Sequence, residues 1–220
     1  MKEGGAIFFS FAYVILILML AKKAEGKGWT SPFVTRKLVH LCVGSWILPT
    51  FFLFDHWFMA IVPPFCFIWA NLALERKRFF SFEGKEKGYG AVYFPISFVL
   101  LLTLFWEGSL RAYASLGGLA MAWGDPLAAL VGKRWGRHRY STGGAQKSFE
   151  GSLAMLGGSF AACGVSFLLF QGGTLKEILI QSTLLATFAT LMESISSRGL
   201  DNLTVPLGSA WAGYFLFTRW

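Results

Sequence analysis

The sequence is poor in charged residues and in cysteine. Acidic and basic residues make up only 15% of the 220 positions, whereas 55% are hydrophobic. Such a composition argues against a disordered chain or an ordinary water-soluble domain, because too much apolar surface would face water. The three cysteines form no CxxC pair and lie in apolar stretches, so we expect neither a disulfide framework nor a zinc site. A lipid bilayer is the environment that best fits this composition.

Long apolar segments recur along the chain. A helix needs roughly 20 apolar residues to cross a hydrocarbon core, and eight segments come close to this length, at 5–21, 38–54, 57–74, 89–106, 110–131, 150–170, 175–195 and 203–218. We therefore predict an all-α, polytopic integral membrane protein with eight transmembrane helices. The number falls to seven if the last segment, which contains Pro206, lies on the surface or re-enters. No repeat or linker divides the chain, so residues 1–220 are expected to form one domain.

Positive charge exceeds negative charge, with a formal net charge of +8. The basic residues fall mostly in alternate connections between the apolar segments. This distribution argues against a nucleic-acid partner and favours contact with the membrane surface. Cytoplasmic connections of membrane proteins carry the excess of Lys and Arg. We therefore expect the more basic side, and an active site on it, to face the cytoplasm, with the plasma membrane of a prokaryote as the location.

Chemistry is expected where polar residues interrupt the apolar pattern, because an ionisable group at membrane depth is costly and generally faces a cavity or a partner. The first such place is Asp125, between Gly124 and Pro126 in an otherwise apolar stretch. An aspartate followed by proline is typical of a helix N-cap and first helical position. The sequence thus predicts a span that breaks at Asp125 and restarts toward Gly132, leaving a carboxylate in a cavity. The alternative is a cap or turn residue at the membrane surface.

A second candidate is the segment 132–149, which we predict to be a cytoplasmic loop rich in glycine and basic residues. Glycine lets the backbone approach a ligand, and clustered Lys and Arg can neutralise a polyphosphate. The segment does not match the Walker A pattern. Its candidate phosphate-binding residues are Gly132, Lys133, Arg134, Gly136, Arg137 and Lys147. Glu150, three residues after Lys147, is a candidate metal ligand. The alternative is a basic anchor for anionic lipid headgroups.

A third candidate is the connection between the last two apolar segments. Glu193 ends one segment, and Asp201 and Asn202 begin the next, so one short connection can present three oxygen ligands. Mg²⁺ is commonly held by a few carboxylates together with waters and substrate phosphates. The alternative is a tight turn at Gly199 with Asp201 as a helix N-cap.

Two further polar sets lie at the ends of earlier segments. Arg36 and Lys37 precede His40, which falls just inside a span and could carry a proton or bind phosphate. A lone histidine at a span end is more often a hydrogen-bonded structural residue. Asn71 and Glu75 lie four residues apart and form a weaker polar pair at the end of the third segment.

Together these residues gather carboxylates and basic side chains on one side of a membrane protein. The candidate ligands of a divalent cation such as Mg²⁺ are Asp125, Glu150, Glu193 and Asp201. Lys147 and the arginines would hold the phosphates of a nucleotide, and a carboxylate or His40 would accept the proton of an acceptor hydroxyl. The set therefore indicates transfer of a phosphoryl group from a nucleotide to an acceptor dissolved in the membrane.

Five stretches resemble the family of phytol kinases and dolichol kinases, which also includes CTP-dependent diacylglycerol kinases. They are RKLVH followed by Gly44, KGYGAVYFP (87–95), MAWGDPLAALVGKRWG (121–136), KSFEGSLAM (147–155) and ESISSRGLDNLTVPL (193–207). The resemblance extends over nearly the whole chain after the first apolar segment. The GD-to-KSFEG block and the GLDNLTVP block are specific in combination, and the second is most similar to the phytol kinase branch.

The resemblance implies a multi-pass kinase that uses CTP and a divalent cation to phosphorylate a long-chain isoprenoid alcohol such as phytol, geranylgeraniol or dolichol. Carried over residue by residue, it implies a polar core of Asp125, Lys147, Glu150, Glu193, Asp201 and Asn202. Within that core we expect the two aspartates to bind metal and Lys147 to bind phosphate. One of the two glutamates would support the metal or remove the proton. No motif reads a nucleotide base, so the choice of CTP depends on the resemblance alone.

Other activities stay open at this point. The sequence is also distantly similar to the CDP-diacylglycerol synthases, which transfer CMP from CTP to phosphatidate. However, Leu200 stands where that signature has a lysine, and residues 205–209 replace its PGHGG stretch. CTP-dependent diacylglycerol kinase activity is another alternative. A transporter that uses the carboxylates as an ion relay is disfavoured, because the ionisable residues lie at span ends and no inverted repeat is visible. The sequence does not indicate the oligomeric state.

Overall fold

The computed structural model describes residues 3–77, 89–142, 145–197 and 199–218. Within these ranges the chain is mostly helical. The helices are α1 (Glu3–Gly26), α2 (Pro32–Ser45), α3 (Ile47–Leu53), α4 (Trp57–Ala60), α5 (Val62–Lys77), α6 (Gly90–Leu104), α7 (Arg111–Trp135), α8 (Phe149–Phe170), α9 (Leu175–Ile195) and α10 (Asp201–Phe217). A 3₁₀ turn (Gly108–Leu110) precedes α7, and an antiparallel hairpin of β1 (Arg139–Thr142) and β2 (Ala145–Ser148) connects α7 to α8.

The helices largely follow the apolar segments of the sequence, so the predicted all-α fold is confirmed. Within the described ranges, five helical stretches are long and apolar enough to cross a bilayer: Glu3–Gly26, Trp57–Glu75, Gly108–Trp135, Phe149–Phe170 and Leu175–Ile195. The predicted count of seven or eight spans is therefore not confirmed. The other segments form shorter helices, since 38–54 is divided between α2 and α3, α6 has 15 residues and α10 has 17.

Helix α7 lies at the centre of the bundle and contacts α2, α3, α6, α8, α9 and α10. Most of its residues from Ala112 to Pro126 are buried. Glycines allow close approach of its neighbours. A Cβ on Gly118 would lie 2.6 Å from Ile47 of α3, and one on Gly124 would lie 2.8 Å from the Ser159 hydroxyl of α8. Close packing of small residues is the main source of helix association in a membrane, because lipid tails are as apolar as the helices.

The predicted break at Asp125 is wrong, because α7 continues through Pro126 to Trp135. A proline inside a helix removes one backbone hydrogen bond and bends the helix locally. A helix end at this buried position would leave several amide and carbonyl groups without partners, which is more costly. Asp125 is therefore an interior residue of α7, and its carboxylate is carried by a continuous helix.

The segment 132–149 also differs from the predicted loop. Its first four residues complete α7, and residues 139–142 pair with residues 145–148 so that Tyr140 lies opposite Lys147. Residues 143 and 144 lie outside the described ranges. Ser148 then caps α8, because its hydroxyl accepts a hydrogen bond from the N–H of Gly151 at 3.1 Å. Side chains alternate between the two faces of a strand, so the hairpin gives Lys147 a fixed direction.

Candidate active site

A cavity of about 390 Å³ lies among helices α1 to α6 and reaches the middle of α7 and the start of α10. Polar residues line one end of it: Arg36, Lys37, His40, Asn71, Glu75, Asp125, Asp201 and Asn202. Most of the remaining wall is apolar and includes Val14, Val43, Trp46, Phe67, Phe94, Phe98 and Leu102. An apolar space with a few polar groups at one place is the usual form of a small-molecule site. We refer to the two parts as the polar end and the apolar wall.

Lys37 and Asp125 form an ion pair at the polar end. The Nζ atom of Lys37 donates to Oδ2 of Asp125 at 2.6 Å, and the two side chains are 15% and 12% exposed. The pair joins α2 to α7 across 88 positions of sequence. A carboxylate at this depth requires such a partner, because an unpaired buried charge is costly. Both residues are candidates from the sequence, but their pairing was not predicted.

Asp201 and Asn202 reach the polar end from the first turn of α10. Gly199, just before them, has a backbone φ of +81°, which residues with a side chain rarely adopt. A Cβ on Gly199 would lie 2.7 Å from the backbone of Gly90. This close contact fixes the start of α10 against the start of α6. Asp201 Oδ1 accepts a hydrogen bond from the Asn202 N–H at 3.0 Å. The Oδ1 atom of Asn202 is buried and has no hydrogen-bond partner among the described residues.

The charged residues of the polar end act on one another as one cluster. Asp201 interacts electrostatically with Asp125, Lys147 and Lys37. Asp125 in turn interacts with Lys37, His40 and Lys147. The structure therefore brings together residues from α2, α7, β2 and α10, which are far apart in the sequence.

Lys147 and Glu193 form a second buried ion pair beside this cluster. The Nζ atom of Lys147 donates to Oε1 of Glu193 at 2.6 Å and also donates to the main-chain carbonyl of Glu193. The side chains are 14% and 9% exposed. Lys147 lies on β2 and Glu193 in the last turn of α9, so the pair ties the hairpin to α9. Its interaction with Asp201 connects this pair to the polar end.

His40 lines the polar end with an unsatisfied ring nitrogen. The centroid of its imidazole lies 4.2 Å from that of the Phe94 ring. Its Nε2 atom is buried and makes no hydrogen bond to any described residue. Most buried polar atoms in proteins have a partner, so an unpaired nitrogen on a side chain that lines a cavity makes His40 a candidate for contact with a ligand.

Glu150 lies apart from the cavity lining. Its Oε1 atom accepts a hydrogen bond from the His138 N–H at 3.3 Å and lies 2.8 Å from Nδ1 of that exposed histidine. Of the four predicted metal ligands, Asp125 and Asp201 line the cavity, whereas the two glutamates each pair with a basic side chain. In the described ranges, no group of three or more His, Cys, Asp or Glu side chains could hold a metal ion. A cation there would need further oxygen ligands.

The remaining predicted phosphate-binding residues do not line the cavity, within the part of the chain that is described. Gly132 and Gly136 pack the end of α7 against the hairpin, since a Cβ on them would lie 3.0 and 2.7 Å from the hydroxyl that caps α8. Lys133 and Arg134 each lie over an aromatic ring, with distances of 4.1 and 5.3 Å to the ring centroids. Arg137 is exposed. The glycines thus have a packing role that their spacing alone did not reveal.

Three other predicted residues, Arg36, Asn71 and Glu75, do line the polar end. The Nδ2 atom of Asn71 donates to the carbonyl of Ala91 at 2.9 Å and so ties α5 to α6. The apolar wall was not identified from the sequence. In the sequence, the wall corresponds to a spacing of three or four residues between lining positions on several helices. Any buried helix face has the same spacing, so this pattern does not identify a cavity.

No protein-family model and no solved structure matches the chain. It is 37% identical to a phytol kinase of Synechocystis sp. over 217 residues, which cover 96% of this chain and 93% of that protein. It is 31% identical to a chloroplastic farnesol kinase of Arabidopsis thaliana, over 61% of this chain and 45% of that protein. A dolichol kinase of Saccharomyces cerevisiae is also 31% identical, over 50% of this chain and 21% of the yeast protein.

Proposed function

The chain belongs to the family of phytol and polyprenol kinases, and on this premise we propose that it transfers the γ-phosphoryl group of CTP to the hydroxyl of a long-chain isoprenoid alcohol. The bond between the γ-phosphorus and its bridging oxygen breaks, and a bond from that phosphorus to the alcohol oxygen forms. The products are the lipid monophosphate and CDP, and the hydroxyl proton passes to a base. The reaction takes place at the polar end of the cavity, on the cytoplasmic face of a prokaryotic plasma membrane.

The observation that carries this proposal is the continuity between the polar end and the apolar wall within one cavity. An isoprenoid alcohol has the same division, with one hydroxyl at the end of a hydrocarbon chain. A hydroxyl at the polar end would lie near Lys37, His40 and Asp125, and the hydrocarbon chain would contact the apolar wall. The division therefore supports an acceptor of this class.

His40 is the side chain that we propose to accept the hydroxyl proton. His40 lines the polar end, and its buried Nε2 atom has no hydrogen-bond partner among the described residues, so it could bond a hydroxyl without breaking an existing hydrogen bond. The nearby Asp125 carboxylate would stabilise the imidazolium that forms. Asp125 is itself bonded to Lys37 and is less available as a base.

Charge balance supports a requirement for a divalent cation. The polar end and the pair beside it hold three basic side chains and four carboxylates, which are Arg36, Lys37, Lys147, Glu75, Asp125, Glu193 and Asp201. The carboxylates thus outnumber the basic side chains by one, so a nucleoside triphosphate would bring further negative charge that these side chains do not neutralise. Mg²⁺ prefers oxygen ligands, and the two aspartates together with the unpaired Oδ1 of Asn202 fit that preference. The chemistry that bound Mg²⁺ supplies in such sites is neutralisation of charge on the phosphoryl oxygens.

The test uses detergent-purified protein, Mg²⁺ and CTP labelled at the γ or the α phosphate in separate reactions. The lipid mixture contains phytol, geranylgeraniol, dolichol, diacylglycerol and phosphatidate. We expect label to enter the lipid fraction from the γ position only, and chromatography of the product to identify an isoprenyl monophosphate. Label from the α position alone would mean CMP transfer and would overturn the proposal. Parallel reactions with UTP and ATP compare the donors.

Variants connect this activity to the site. Asp125→Asn and Lys147→Ala should each remove turnover while the protein still elutes as a folded, monodisperse species. Lys176→Ala is the matched control, because Lys176 is exposed in the first turn of α9 and does not line the cavity. Retained turnover in both site variants would overturn the site assignment while leaving the kinase activity itself intact.

A further inference from the structure

The apolar wall is formed by side chains on one face of each of several neighbouring helices. In α4 and α5 the lining positions include Ala60, Pro64, Phe67 and Asn71, and in α6 they include Gly90, Phe94, Phe98 and Leu102. Spacings of three and four residues place side chains on a single helix face. The cavity therefore follows the helices lengthwise instead of crossing between them.

Each of these lining faces extends from the polar end to the opposite, deep end of the cavity. The paths are Arg36 to Thr50 along α2 and α3, Glu75 to Ala60 along α5 and α4 (against the chain direction), and Gly90 to Leu102 along α6. With a rise of 1.5 Å for each helical residue, the cavity is about 20 Å long. The three helical paths agree on this length, although they belong to different parts of the chain.

The deep end of the cavity is closed by the protein. Ser10, Thr50, Ala60 and Leu102 line it and are 0%, 4%, 2% and 2% exposed. Ala60 and Leu102 belong to the buried core, which also contains Phe51, Phe105 and Trp106. A chain that enters from the polar end therefore meets packed side chains and not the lipid or water beyond them.

From this geometry we infer that the closed end limits the acceptor to a single isoprenoid chain of diterpenoid length or shorter. One leaflet of a bilayer is about 15 Å of hydrocarbon, the space filled by one ordinary acyl chain. The main chain of a diterpenoid alcohol is as long as such an acyl chain and fits within the cavity. A polyprenol such as dolichol is several times longer, and diacylglycerol carries two chains, so neither can be enclosed. This inference depends on the proposed function, because it concerns the acceptor of that reaction.

A series of alcohols tests the inference with the whole protein. The assay measures kcat/KM for geraniol, farnesol, geranylgeraniol, phytol and dolichol in the same mixed micelles. We expect phosphorylation of the acceptors up to diterpenoid length and at least about a tenfold lower kcat/KM for dolichol, since a pocket rejects groups that it cannot hold by such factors. Equal kcat/KM for dolichol and geranylgeraniol would overturn the inference.

A substitution at the closed end supplies the sharper test. Ala60→Phe should shorten the cavity and lower the ratio of kcat/KM for geranylgeraniol to that for geraniol by about tenfold or more. Ala161→Phe is the matched control, because Ala161 is exposed on α8 and does not line the cavity. An unchanged ratio in Ala60→Phe would overturn the inference. Activity toward geraniol shows that the variant is folded, and Ala60→Val provides a smaller change if Ala60→Phe does not fold.

A second readout does not depend on turnover. Geranylgeraniol with a photoreactive diazirine on its last isoprene unit is irradiated with the protein, and the labelled peptides are identified. We expect labels near Thr50, Ala60 and Leu102, and labels confined to exposed faces of the helices would contradict a closed cavity. The two proposals fail in different ways. A wild-type protein that phosphorylates no alcohol contradicts the proposed function, whereas an active protein without chain-length dependence contradicts only the inference about the closed end.

Discussion

Replacement of Lys37 by methionine tests the ion pair at the polar end most directly. Methionine keeps much of the length and apolar volume of the lysine stem but removes its charge. Asp125, which is 12% exposed, then loses the lysine that donates to it at 2.6 Å. Asp125→Asn is the complementary change, because it removes the carboxylate charge at nearly constant shape.

The expected magnitudes follow from burial of the pair. Removal of one partner of a buried ion pair generally costs about 3–5 kcal/mol, because the other charge is left without compensation. Both side chains keep some exposure, and the charge of Lys147 is nearby, so for Lys37→Met we expect about 3 kcal/mol, at the low end of that range. Asp125→Asn should cost less, about 1–2 kcal/mol, because a lysine can extend its ammonium group toward water. The stability loss of the double variant should be about 2 kcal/mol smaller than the sum of the two single losses.

The assay is reversible unfolding of the four proteins in mixed micelles, followed by the fluorescence of the nine tryptophans. Initial rates of phosphoryl transfer are measured in parallel. Each single variant should lose about 100-fold or more in kcat, as is usual when a charged group at a reaction centre is removed. The double variant should recover stability but not activity, because its carboxylate is still missing.

Two results would refute this reasoning. Additive losses of stability, with a coupling below about 0.5 kcal/mol, would mean that the two side chains do not form a stabilising pair. Wild-type kcat in the double variant would mean that Asp125 takes no part in the reaction.

Other residues give further expected outcomes. Lys147→Arg keeps the positive charge but changes the hydrogen-bonding geometry, so turnover should remain measurable while KM for the nucleotide rises about tenfold or more, and steady-state kinetics with varied CTP would check this. Glu150→Gln should leave the free energy of unfolding nearly unchanged, because that carboxylate bonds an exposed histidine, and a clear loss of stability in the micelle assay would contradict the assignment. Gly199→Ala should cost about 1–3 kcal/mol because of its positive φ, while Gly157→Ala, in an open helical position, should stabilise by about 0.5–1 kcal/mol. Dialysis against EDTA should abolish turnover and Mg²⁺ should restore it, with Asp201→Asn needing more Mg²⁺ for half-maximal rate; full activity after dialysis would refute the cation requirement.

The sequence was sufficient to predict the helices, because the apolar segments are long and their composition leaves few other structures possible in a bilayer. It was less reliable for the number of spans. Trp46 divides one apolar segment between two helices, and α6 and α10 are shorter than a bilayer is thick. Hydropathy averaged over a window does not detect such a division, because it depends on backbone geometry at a single residue.

The structure brings some of the candidate site residues together and places others apart. Asp125, Asp201 and Asn202 all line the polar end, but Asp125 is inside a helix and not at its start. Tertiary burial favoured the unbroken helix over the local N-cap signal of Asp125 and Pro126. The pairing of Lys37 with Asp125 could not be predicted, since it depends on how α2 packs against α7.

The apolar wall of the cavity has an energetic consequence for how the enzyme distinguishes its substrates. Lipid tails are as apolar as leucine side chains, so an alcohol that moves from the bilayer into the cavity removes almost no hydrocarbon from water and gains little hydrophobic free energy. Discrimination must therefore come from steric fit and from contacts to the hydroxyl. The rate should depend on the mole fraction of the alcohol among the surrounding lipids, and dilution with phospholipid should lower it even when the amount of alcohol in the sample stays the same.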